Sequence, residues 1–169
     1  GSTTVSAGNT ATIAGVGTLT IGANGAYTFT PAANYHGTVP SATYTVSDGA
    51  LAATSTLAIA ITSVNDAPVA VADSKTTNED TAASGNVLSN DTDAEGDTLS
   101  VTQFVWNGVT TAAGNTATIT GVGTLTIGSS GAYTFTPASN YHGSVPSATY
   151  TVSDGSLSTT STLAIVITS

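Results

Sequence analysis

The chain alternates apolar and hydroxyl-bearing residues over short stretches. In GTLTIGSSGAYTFTP, Leu125 and Ile127 alternate with Thr124 and Thr126, and Tyr133 and Phe135 alternate with Thr134 and Thr136. A period of two places one set on a core face and the other in solvent, which predicts strands rather than helices. The SSG step between the two runs predicts a hairpin turn, and Pro137 is expected to stop the second strand. In SATYTVSDG, Tyr150 and Val152 share a face; the DG step predicts a tight turn, and Leu163, Ile165 and Ile167 of STLAIVITS continue the core. Upstream, PVAVADS is expected to be the first strand, and TLSVTQFVW another, closed by an Asn107-Gly108 turn. No helical stripe of useful length occurs. About seven short strands per hundred residues predict an all-β fold of the β-sandwich type.

The pattern repeats. Gly8 to Ser63 and Gly114 to Ser169 are nearly identical and align without a gap at an offset of 106 residues. A period of that length is one β-domain rather than one blade or one helical hairpin. Residues 64–169 therefore read as a complete repeat with an N-terminal VNDAP linker, and residues 1–63 as the C-terminal part of a truncated repeat. The counterpart of residues 64–106 does not precede the first copy. Its sheet edges and apolar faces are expected to be uncovered and completed by strands of a neighbouring molecule, because open edges invite pairing. The leading Gly1-Ser2 pair is expected to be a cloning scar.

Composition narrows the function. Only 7% of the 169 residues are charged, the formal net charge is −9, and Lys75 is the only basic residue apart from two histidines. Phosphate binding needs Lys and Arg, so nucleic acid is excluded as a partner, as is an anionic membrane surface. No apolar run is long enough to insert across a membrane as a helix. There is no cysteine, so stability rests on packing or on a metal.

Eight of the ten acids fall between residues 66 and 97; the other two, Asp48 and Asp154, occupy the same SDG turn in the two copies. Within NDTDAEGDTLS, Asp91, Asp93, Glu95 and Asp97 follow at two-residue spacing. In an extended chain they would form a row about 6.5 Å apart, repelling by roughly 0.6 kcal/mol per pair even in bulk water. A calcium ion reverses that sign, since it takes about 6–8 hard oxygen ligands from carboxylates, Asn and backbone carbonyls. The spacing is that of the front of an EF-hand loop, with Gly96 for the turn. Thr102 stands where the twelfth-position acid would be, and the flanks are strands. Magnesium fits less well, and zinc would want His or Cys. A solvated acidic loop is the competing reading. The same two readings apply to Glu79 and Asp80 in TNEDT. For Asp48 and Asp154, an Asp capping its own turn is the alternative.

These residues carry a resemblance. VNDAPVAVADSKTTNEDTAASGNVLSNDTDAEGDTLSVTQF and GAYTFTPASNYHGSVPSATYTVSDG resemble the front and back halves of the cadherin-like, VCBS-type bacterial Ig-like repeats of giant RTX adhesins. The resemblance implies an Ig-like/cadherin-like β-sandwich in tandem array, secreted by a type I system to the bacterial cell surface. By similarity Asn65 and Asp66 match the Asn-Asp step of the cadherin linker, Asp91 and Asp93 its Asp-x-Asp loop, and Glu79 the acid ending the first strand. Ser63 departs from the pattern, which places another acid there. The implied function is a non-catalytic extender stiffened by Ca2+, with neighbouring repeats as partners. The alternative is a module binding carbohydrate or another copy of itself, for which Trp106, Tyr35, Tyr141 and His142 are the candidate contacts. His36 and His142, in equivalent NYHG loops, have no nucleophile–base–acid set around them, so no enzyme is expected. Lys75 is expected to be a surface lysine rather than an isopeptide partner.

Overall fold

The computed structural model describes residues 4–169, so the Gly1-Ser2 pair lies outside the described residues. The described chain is all-β, without a helix, and divides between Val64 and Asn65 into two units.

The second unit is a two-sheet sandwich. Its strands are β6 (Asp73–Asn78), β7 (Ala83–Asn86), β8 (Ser100–Trp106), β9 (Val109–Ala112), β10 (Thr116–Ile119), β11 (Gly123–Ile127), β12 (Ala132–Pro137), β13 (Gly143–Ser144), β14 (Ala148–Ser153) and β15 (Ser158–Thr168). One sheet has the order β10-β11-β12-β7. The other runs β13-β15-β14-β8-β9, with β6 pairing β15 in parallel. The alternation read from the sequence sets the faces: Leu125, Ile127, Tyr133 and Phe135 point inward, and meet Val101, Phe104, Trp106, Tyr150, Val152, Leu163, Ile165 and Ile167 of the opposite sheet. Outward, threonines stand in cross-strand register, with Thr116 opposite Thr126 and Thr124 opposite Thr136, and the hydroxyls of Thr116 and Thr126 hydrogen-bond at 2.7 Å.

The turns match their chemistry. Asn107 and Gly108 both have positive φ (49° and 77°), as a two-residue hairpin of the I′ kind requires. Gly123 opens β11 at φ 149°, where a Cβ would collide with the Thr136 carbonyl. Gly85 lies under the Tyr133 ring, and a Cβ there would come within 2.9 Å of it.

Only the last two residues of PVAVADS, Asp73 and Ser74, enter the first strand of this unit. Val69 makes a single bridge to Thr92, Val69 and Val71 are exposed, and the ladder begins only at Asp73. Side chains take the place of a neighbouring strand here: Asp91 accepts from the Val71 N–H, and the Tyr150 hydroxyl reaches the Val71 carbonyl. Strands β7, β9, β10 and β13 are additions to the sequence reading.

The first unit contains β1 (Thr10–Ile13), β2 (Gly17–Ile21) and β3 (Tyr27–Pro31) in one antiparallel sheet, and the hairpin β4 (Gly37–Ser47) and β5 (Ala52–Ile61). Leu19 and Val39 are its only buried hydrophobics among the described residues. Tyr27 is 56% exposed where its counterpart Tyr133 is 6% exposed, and Val46 is 59% exposed where Val152 is wholly buried. Burial changes, with sequence held nearly constant, because the described residues of this unit include no strands in the places of β6, β7 and β8.

Candidate metal-binding loop and linker clasp

The linker entering the second unit is held by side chains. Asn65 Nδ2 donates to Asp154 Oδ2 (2.8 Å), and the Asp66 N–H donates to Glu95 Oε2 (3.0 Å). Asn65, Asp66, Glu95 and Asp154 thus meet at the end of the sandwich where β14 turns into β15.

The acids of Asp91–Asp97 do not form the row expected of an extended chain. Asp93 Oδ1 accepts from the N–H groups of both Glu95 and Asp97 (3.0 Å each), and Gly96 at φ 80° lets the backbone curl round it. The carboxylate organises its own loop, as Asp commonly does, and so destroys the period of two. Asp91 Oδ1 accepts from the Val71 N–H at 2.8 Å. The second oxygens, Asp91 Oδ2 and Asp93 Oδ2, are buried and have no hydrogen-bond partner. Burial raises the Asp91 pKa, the Val71 hydrogen bond opposes that, and the charge of Asp73 adds to it.

Asp73, outside the residues singled out by spacing, belongs to the same region. The buried Tyr150 hydroxyl donates to Asp73 Oδ2 (2.7 Å) and lies 3.1 and 3.2 Å from the carbonyl oxygens of Val71 and Val87. Desolvation pushes the Asp73 carboxyl up, against the hydrogen bonds from Tyr150 and Asn90, and pushes the Tyr150 phenol up strongly. No sequence spacing could have paired residues 73 and 150; only the folded register of β14 against β15, and β15 against β6, does so.

Glu79 and Asp80 sit at the other end of the sandwich. The Glu79 N–H donates to the carbonyl of Thr168 (2.7 Å), and Asp80, itself at φ 59°, accepts from the Asn140 N–H (3.0 Å). Within this unit they are not brought together with Asp91 and Asp93. Asp154 and Asp48 cap their own turns: Asp154 Oδ1 accepts from Ser156 and Leu157, and Asp48 Oδ1 from Ala50 and Leu51. The Asn65 side chain foremost, then these N–H groups, hold the Asp154 pKa low; the Leu51 and Ala50 N–H groups do the same for Asp48.

Among the described residues no three His, Asp or Glu side chains converge as a ready-made metal cluster. The fit to calcium rests on chemistry at two atoms: the orphaned oxygens of Asp91 and Asp93 are hard anionic donors denied water, and an ion would satisfy them alongside carbonyl and water oxygens.

The candidate sugar contacts differ in exposure: Trp106 is buried, Tyr35 and Tyr141 are half-buried, and His142 is exposed. Trp106 is 1% exposed, its Nε1–H donates to the Pro146 carbonyl, and its ring meets Phe135 edge-on at 5.9 Å. Strand alternation carries it into the core although a turn follows it. Tyr35 and Tyr141 each donate a hydroxyl bond back to their own loop, to the carbonyls of Thr38 and Ser144. His36 and His142 are exposed. Two equivalent shallow depressions, of about 290 and 340 Å³, lie beside Gly17 and Gly123, and Thr, Ile, Gly, Pro and Ala line them without a titratable group.

Residues 65–169 match the bacterial cadherin-like domain, and residues 2–62 match a cadherin-like domain. No curated protein matches the chain in sequence. Among solved structures, it is similar to a nucleoside hydrolase-related hypothetical protein from Saccharophagus degradans associated with carbohydrate metabolism, at 18% identity and TM-score 0.42 over 62% of this chain and 26% of that one. It is also similar to a chimeric titin Z1Z2, at 15% identity and TM-score 0.35 over 75% of this chain and 60% of that one. A third is the endo-fucoidan hydrolase MfFcnA4 from glycoside hydrolase family 107, at 22% identity and TM-score 0.39 over 84% of this chain and 20% of that one. The chain thus spans about a quarter of the first of these structures, and likenesses this distant carry no functional weight. Sandwich, linker and family match agree: the chain belongs to the bacterial cadherin-like domain family.

Proposed function

We propose that the chain is a non-catalytic, calcium-binding extender module of a large RTX-type adhesin on the bacterial cell surface, spacing a binding domain away from the cell. Cadherin-like domains are generally non-catalytic, adhesion-type extracellular modules and typically bind Ca2+. The observation carrying the reading is the pair of buried, unpartnered carboxylate oxygens on Asp91 and Asp93, in the loop that also supplies Glu95 to the linker backbone. Asp91 and Asp93 would hold the ion, whose charge would offset their desolvation and mutual repulsion. Asn65, Asp66 and Asp154 would then set the linker against a stiffened loop. Glu79 and Asp80, at the opposite end, would serve a junction with another repeat, and Asp48 the equivalent turn of the first unit.

Calorimetry in EDTA, in millimolar calcium and in millimolar magnesium tests this. At a hundredfold excess over Kd, one site adds about 2.7 kcal/mol, or roughly 10–20 °C in Tm for a domain of this size. The expected result is a calcium-specific rise that Asp91→Asn with Asp93→Asn removes. Equal Tm values in EDTA and calcium would reduce the loop to a solvated one and end the proposal.

A further inference from the structure

We infer that Asn107-Gly108 is a spontaneous modification site, at which the Asn107 side chain is converted to aspartate and isoaspartate with water as the co-reactant. The chain holds two Asn-Gly steps, Asn24-Gly25 and Asn107-Gly108. Asn is a chemically labile residue, and a following Gly, having no Cβ, lets its own amide nitrogen approach the Asn side-chain carbonyl. In the reaction the Gly108 nitrogen bonds to Asn107 Cγ, the Cγ–Nδ2 bond breaks, and the nitrogen's proton leaves with the departing ammonia. Water then opens the resulting five-membered imide at either of its carbonyls. Opening at Cγ gives aspartate. Opening at the main-chain carbonyl gives isoaspartate, in which the main chain runs through Cγ.

The structure separates the two steps. Asn107 and Gly108 are both exposed, and neither the Asn107 carboxamide nor the Gly108 N–H has a hydrogen-bond partner among the described residues. They form the tip between β8 and β9, and β9 is a four-residue edge strand, so the tip opens without disturbing the core. At Asn24 both reacting groups are engaged: the Gly25 N–H donates to the Gly22 carbonyl (2.9 Å), and Asn24 Oδ1 accepts from the Ala26 N–H (3.1 Å). The second unit makes the same turn bond, from the Gly131 N–H to the Gly128 carbonyl (2.9 Å), with Ser130 in place of Asn24. The closed turn around Asn24 therefore belongs to the repeat itself.

Conversion changes the hairpin in two ways. It places a negative charge within residues 98–153, a stretch that otherwise holds no acid. The isoaspartyl product also adds one carbon to the main chain of a loop whose two residues, at φ 49° and 77°, hold Trp106 opposite Val109. A longer loop does not keep that register, so β9 comes away from β8 while the sandwich behind it stays closed.

The test incubates the intact chain in mildly alkaline buffer, folded and in urea, with peptide mapping that separates aspartyl from isoaspartyl products. With each site's folded rate divided by its own rate in urea, Asn107 is expected to convert about tenfold faster than Asn24, whose turn must first break its hydrogen bonds. Hydrogen exchange of the converted chain is expected to show lost protection across Val109–Ala112. Asn107→Asp, which adds the charge and keeps the ordinary main chain, is expected to retain that protection. Equal ratios at the two sites, or a higher one at Asn24, would overturn the inference. So would isoaspartate at residue 107 with β9 still protected, or loss of protection in Asn107→Asp as well.

Discussion

Tyr150→Phe isolates the polar bond buried in the core of the second unit. The ring is fully buried and stays in place, so the substitution removes only the hydroxyl, which donates at 2.7 Å to Asp73 Oδ2. A hydrogen bond to a charged group contributes about 1.5–3 kcal/mol, and its loss leaves a partly desolvated carboxylate short of a partner. Asp73 is only half-buried and water screens part of the effect, which puts the expected loss at the lower end, about 1.5–2 kcal/mol. Equilibrium urea unfolding followed by fluorescence suits the measurement, because the sole tryptophan, Trp106, lies in the same core and reports on this unit alone. The repeat supplies an internal control. Tyr44 is the equivalent residue of the first unit, where no counterpart of Asp73 lies among the described residues, so Tyr44→Phe is expected to change far-UV circular dichroism unfolding by less than about 0.5 kcal/mol. Asp73→Asn in the Tyr150→Phe background is expected to recover part of the loss, since it removes the charge left unpaired. A Tyr150→Phe protein within about 0.5 kcal/mol of the parent would refute the reasoning, because the hydroxyl would then be exchanging one neutral carbonyl for another.

Two further outcomes follow from the same structure. In EDTA, Asp73 and Asp91 have folded pKa values raised by burial above the unfolded 3.8, so the folded state holds their protons more tightly and stability climbs as pH falls from 7 toward that value. Asp48 and Asp154 have lowered folded values, and their contribution, present above 3.8, is lost as pH falls through those values. The Tm in EDTA is expected to rise as pH falls from 7 toward the carboxylate range and to fall again in stronger acid, and a monotonic fall from pH 7 would contradict it. Gly123→Ala forces a side chain into positive φ and against the Thr136 carbonyl, with an expected loss of about 2 kcal/mol or more in the second unit; unchanged urea unfolding would show that the hairpin relaxes freely.

The strands with strict alternation were legible because their apolar residues serve one buried face, as Leu125, Ile127, Tyr133 and Phe135 do. The SSG, Asn107-Gly108 and DG turns were legible because few residues accept positive φ. Strand β7 was hidden by Gly85, which reads as a breaker and is there to admit the Tyr133 ring. PVAVADS had the composition of a strand, but the backbone groups of Val71 are met by side chains of Asn90, Asp91 and Tyr150, which no local pattern encodes. Trp106 was a candidate for the alternative sugar contact because it ends a strand at a turn, whereas parity along β8 carries it into the core. The acidic segment announced a charge problem but not its geometry: Asp93 folds the loop around itself, and two of the four carboxylates end with an oxygen sealed from water.

The parallel pairing of β6 with β15 has a mechanical meaning. From Leu163 opposite Asp73 to Thr168 opposite Asn78, the first and last strands of the second unit run side by side in the same direction. Tension applied through the linker at one end and through Ser169 at the other pulls these two strands past one another along their length. The ladder is then loaded in shear, with its hydrogen bonds sharing the force together, instead of being unzipped one bond at a time. A tether subject to drag would transmit load through this pair of strands, and the edge that joins the beginning of the unit to its end would be the part that sets its breaking force.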